Sequence, residues 1–121
     1  MSSLQEQLLA DASRLRRAIN ALVATQERVV ERLRATFEEQ QAELDRQVLR
    51  LALLRERFGD NHIETINAIR DAEEASKPLA ETRLALERQR QILDLYRTKQ
   101  SEVKELHGGE SERLTLADFT A

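Results

Sequence analysis

From Leu4 to Phe58 the chain contains neither glycine nor proline. These are the strongest local interrupters of a helix, glycine through backbone freedom and proline through its missing amide. Their absence over so long a span predicts one long first helix. Apolar or tolerated residues recur at Leu15, Ile19, Leu22, Gln26, Val30, Leu33, Phe37, Gln41, Leu44, Val48, Leu51, Arg55 and Phe58, in steps averaging about 3.6 residues. A left-handed coiled coil requires 3.5, so the stripe predicts a nearly straight helix with weak supercoiling. At 1.5 Å per residue the helix would be roughly 80 Å long. A compact chain of this size has a radius of gyration near about 14 Å, which predicts an elongated molecule.

The local signals at the helix ends agree. Ser3 followed by Glu6 has the spacing of an N-terminal capping box. Phe58-Gly59-Asp60-Asn61 is the clearest break. Gly59 suits the left-handed position that closes a helix, and Asp60 or Asn61 suits the N-cap of the next. A second helical pattern then runs from His62 to about Leu106, carrying Ile63, Ile66, Ile69, Leu79, Leu86, Leu93, Tyr96 and Val103. Pro78 removes an amide and disfavours helical Lys77, which predicts a kink or break near 77–78 with Ser76 as a fresh N-cap. His107-Gly108-Gly109 ends the pattern and leaves residues 110–121 as a short tail.

The short turn at 59–61 makes an antiparallel helical hairpin the simplest arrangement. The fold class is all-α and coiled-coil-like. Composition supports this, with 34% charged residues and 3% aromatic, far from the β-branched and aromatic content of sheets. The first helix outruns the second by about ten residues, which predicts an overhang at the end distal to the turn.

A single hairpin does not absorb all of the leucines. Near the turn the apolar stripe of the first helix is wider than a two-in-seven seam. We therefore expect two hairpins to dimerise into a four-helix bundle. The interface would be drawn from Leu44, Val48, Leu51, Leu54, Phe58, Leu86, Leu93 and Tyr96. Gln26, Gln41 and Arg55 fall on the same stripe, where polar residues fix register and partner number at some cost in stability.

No chemistry-bearing motif stands out. There is no cysteine, hence no disulfide framework. His62 and His107 sit at opposite ends of the second helix, and neither follows a glutamate by three residues as a bundle di-metal site requires. Neighbouring carboxylates such as Glu38, Glu39 and Glu43 read as a solvated face, with pairs such as Arg34–Glu38 and Arg83–Glu87. No catalytic, cofactor-binding or metal-binding residue is assigned, and the expectation is a protein that is not an enzyme. Arg14, Arg16 and Arg17 are the densest basic run, a contact for an acidic partner. With a net charge of −3 and no aromatics among those arginines, a nucleic-acid surface has little support. No apolar run approaches the roughly 20 residues that span a bilayer. MSSLQEQLL lacks the basic and apolar regions of a signal peptide, so a cytoplasmic location is expected.

Leu114, Leu116 and Phe119 give the tail an apolar content suited to docking on a partner. In composition alone, and in no motif, the chain resembles small helical capsid-scaffolding proteins and the helical chaperones or stalks of secretion machines. The function these features point to is a self-associating scaffold or adaptor that binds other protein chains. The alternative is a dimeric DNA-associated accessory protein whose Arg14–Arg17 stretch touches phosphate.

Overall fold

The structure, a computed structural model, describes residues 3–104. It consists of two α-helices, α1 (Leu4–Phe58) and α2 (Ile63–Lys104), packed against each other as a hairpin. Ser3 caps α1: its Oγ accepts a hydrogen bond from the Glu6 amide at 3.1 Å. At the far end Gly59 adopts φ +81°, and its amide donates to the Arg55 carbonyl at 2.9 Å. That left-handed residue closes the last turn in a conformation that a side chain would resist. Asp60 does not cap α2; it pairs with Arg55 at 2.7 Å. The cap is His62, whose Nδ1 accepts the Glu64 amide at 3.1 Å. The His62 ring also stacks on Phe58 with centroids 4.4 Å apart.

The break expected at Pro78 is absent, because α2 continues through it. Proline removes the amide that would bond the Glu74 carbonyl. Both Pro78 and Glu74 are exposed, so that carbonyl can bond water instead. Ser76 does not act as an N-cap; its hydroxyl donates to the Glu73 carbonyl at 2.6 Å.

The buried stripe of α1 also differs from the expected one. Its central row of buried and half-buried positions is Ile19, Val23, Gln26, Val30, Leu33, Phe37, Gln40, Leu44, Gln47, Leu51 and Leu54, with half-buried Val29, Thr36, Gln41 and Glu43 beside it. Along this row steps of four and three alternate, a mean of about 3.5 and the heptad period of a left-handed coiled coil. On α2 the same alternation runs from Thr65 and Ala68 to Gln100 and Val103. The 3.6-residue stripe read from sequence had passed through Leu22, Gln41, Val48, Arg55 and Phe58, and it drifts off this seam. Gln40 and Gln47 hold seam positions that apolar counting skips.

The chain divides into two units, one comprising residues up to Val29 with those from Gln89 onward, the other Val30–Arg88. In the first, Ile19, Val23, Leu93 and Val103 form the apolar core, and Gln26 donates to Gln89 across the seam. Asn20 and Gln100 bond at 3.0 Å, so α1 residue n lies level with about α2 residue 120 − n. Lys104 is thus level with Arg16, and Leu4 to Leu15 extend beyond the described part of α2. In the second unit, Arg50 pairs with Asp71 at 2.8 Å and the Thr65 hydroxyl donates to the Leu54 carbonyl at 3.4 Å. Thr65 and Ala68 are fully enclosed, small side chains that let the helices approach closely beside the turn. Here the seam is thin and partly polar: the side-chain oxygens of Gln40 and Gln47 are buried without a hydrogen-bond partner.

Candidate functional site

The features available for function are the surfaces left after the seam has formed. Among the described residues, eight apolar side chains are buried, while eleven large apolar side chains stay exposed at 42–69%. Scattered exposed leucines are ordinary on a monomer, but eleven on a two-helix hairpin leave a large part of its apolar surface uncovered.

The interface set expected from sequence divides accordingly. Leu86 and Leu93 are buried inside the hairpin, so they are not free for a second chain. Leu44, Leu51, Leu54 and Tyr96 are half-buried at seam positions. Only Val48 and Phe58 stand exposed, and Phe58 is engaged by His62. Leu86 and Leu93 went into the hairpin itself because sequence shows that a position is apolar without showing which helix it faces.

In the turn-proximal unit, α1 is apolar around much of its circumference: Val48, Leu49 and Leu53 are all exposed, and α2 adds Ile63, Ile66 and Leu84. The ion pair Arg50–Asp71 marks one edge of the seam, and Val48 and Ile69 flank the other.

In the other unit, Leu15, Leu22 and Leu95 are exposed, with Leu8, Val29 and Ile92 half-buried. The Asn20–Gln100 bond lies on one edge of the seam. Leu8, Leu15, Leu22 and Val29 occupy the other, each seven residues from the next. Sequence reading passed over this row because it assigned Leu15 and Leu22 to the intrachain stripe.

Arg14, Arg16 and Arg17 are all exposed but do not make one patch. At about 100° per residue, Arg14 and Arg17 share a side of α1 and Arg16 points roughly 160° away from Arg14. Arg14 is paired with Asp11. Other charged groups also find different partners from those expected. Arg34 pairs with Glu31 at 3.5 Å, and Arg83 lies over the Phe37 ring at 5.9 Å. Glu43 is held below the ordinary glutamate range by hydrogen bonds from Gln47 and Arg46 and by the Arg46 charge. Gln41 donates to Asp45 at 3.2 Å on the flank of the seam.

No group of three or more potential metal ligands comes together among the described residues, and no helix there is long and apolar enough to cross a membrane. The expected tail contacts Leu114, Leu116 and Phe119, and His107, lie outside the described residues. No known protein family, curated protein or solved structure matches this chain.

Proposed function

We propose that this protein is a non-enzymatic helical scaffold or adaptor that self-associates and binds other protein chains. The observation carrying this reading is the set of eleven large apolar side chains that stay exposed among the described residues. Each such side chain forgoes part of the about 1.5–3 kcal/mol that full burial contributes. Packing a second chain on the flanks recovers that term without disturbing the seam. The expected occupancy of the tail and the Arg14–Arg17 stretch by a further protein partner belongs to the same reading.

The test is the mass of the full-length protein in solution, by sedimentation equilibrium over a wide concentration range. The expected result is a reversible oligomer whose population rises with concentration. A monomer at every concentration would overturn the self-association reading.

A further inference from the structure

In the unit that holds residues up to Val29 and those from Gln89 onward, an apolar strip runs along the edge of the seam away from Asn20. Leu15, Ala18 and Leu22 of α1 form one side of it, and Ile92 and Leu95 of α2 the other. Leu95 lies level with about residue 25 of α1, so from Leu15 the strip spans roughly 15 Å of helix.

The chain supplies a segment that starts beside this strip. Lys104, level with Arg16, is followed by residues 105–121, and Gly108-Gly109 gives the backbone the freedom to reverse. From Lys104 to Leu114 the chain can travel up to roughly 33 Å, and from Leu114 to Phe119 up to roughly 17 Å. The first distance allows the reversal, and the second matches the strip.

Charge selects this strip over the exposed leucines near the turn. Residues 4–29 and 89–104 carry eight basic and five acidic side chains, a net of +3. Residues 105–121 carry Glu105, Glu110, Glu112 and Asp118 against Arg113 alone, a net of −3. Residues 30–88, which hold the turn-proximal leucines, carry thirteen acidic and ten basic side chains, also a net of −3. An acidic apolar segment is thus attracted to the first surface and repelled by the second, over a range of about 10 Å. Arg28 borders the strip on its outer side, and among the described residues it reaches only the Thr25 hydroxyl, at 3.5 Å.

We infer that residues 110–121 fold back onto the strip of their own chain, with Leu114, Leu116 and Phe119 against Leu15, Leu22, Ile92 and Leu95. This does not rest on self-association. It gives the strip an internal occupant and leaves the turn-proximal leucines for a second chain. A protein partner of the tail then competes with the strip for it.

The chain has no cysteine of its own, so one introduced thiol reports whether the strip is covered. Ala18 is exposed on the strip, and Ala52 is exposed in the turn-proximal unit. The experiment measures the rate at which a maleimide labels full-length Ala18→Cys and full-length Ala52→Cys. Each is compared with the same protein carrying Leu114→Ser/Leu116→Ser/Phe119→Ser, with circular dichroism to verify helicity. Ala18→Cys reacts on the order of tenfold more slowly with the wild-type tail than with the serine tail, as for docking in about nine molecules of ten. Ala52→Cys reacts at the same rate with either tail. The protection at Ala18→Cys holds at every protein concentration, because the tail belongs to the same chain. Equal rates at Ala18→Cys with the two tails would overturn docking on the strip. Equal protection of Ala52→Cys would overturn the choice of this strip by charge. Protection of Ala18→Cys that fades on dilution would overturn the chain's own tail as the occupant, in favour of the tail of a second copy.

Discussion

Gln26 donates to Gln89 twice, to the backbone carbonyl at 2.9 Å and to the side-chain oxygen at 2.7 Å. Gln26 is buried to 8% exposure and sits between Val23 and Val30 in a seam that is otherwise apolar there. A polar pair at this place fixes which residues of α2 lie opposite α1, because any slip leaves a buried amide without a partner. Gln26→Ala should cost about 1–3 kcal/mol through the lost hydrogen bonds and packing. The double variant Gln26→Leu/Gln89→Leu should be close to neutral or stabilising. Urea titration of the two variants checks this; equal destabilisation by both would show that the amide pair has no role of its own.

Gly59 ends α1 at φ +81° with nothing within 4 Å of where a Cβ would stand. Only the backbone conformation resists substitution there. Gly59→Ala should lower stability by about 1 kcal/mol, and Gly59→Asn by less, since asparagine tolerates the left-handed region. Thermal unfolding orders the three proteins, and an alanine variant as stable as wild type would contradict the assignment.

Pro78 leaves the Glu74 carbonyl without its helical donor, and its own side chain is exposed. Pro78→Ala should therefore stabilise the protein, by about 1–3 kcal/mol. The measurement is the urea midpoint at unchanged slope. A lower midpoint would mean that the proline is supported by contacts its exposure does not suggest.

Glu43 gives a pH dependence whose sign follows from its lowered pKa. A carboxylate depressed in the folded state contributes stability that is fully present above its unfolded value. That contribution is lost as pH falls through the folded value. Wild type should lose stability in that acid range more steeply than Glu43→Gln, and the two should run parallel at neutral pH. Because the group is solvent-exposed, the difference is small and weakens with salt. Identical acid limbs would show that the Arg46 and Gln47 contacts do not persist in solution.

Much of the fold was legible in the chain. The Ser3 cap, the closing Gly59 and the uninterrupted span before it depend on hydrogen bonds and sterics among residues four or fewer apart, and those neighbours are visible in sequence. The capping role of His62 was not, because Asp60 and Asn61 are better cap residues by type. Asp60 is drawn away by Arg55, which leaves the imidazole as acceptor. The break expected at Pro78 failed to form for a related reason: the rule against proline in a helix assumes that the orphaned carbonyl has no other partner.

The candidate site was less legible. Leu22 and Val23 are adjacent and equally apolar, yet Val23 is 4% exposed and Leu22 47%. Val48 and Gln47 reverse what polarity predicts, the glutamine being half-buried and the valine exposed. By itself the sequence determined two helices, the span of the first and the turn after it, because these follow from local backbone chemistry. Only the tertiary structure decided which face of each helix is the seam. That choice depends on contacts such as Gln26 with Gln89, 63 residues apart, and a shift of one residue in the period exchanges the buried leucines for the exposed ones.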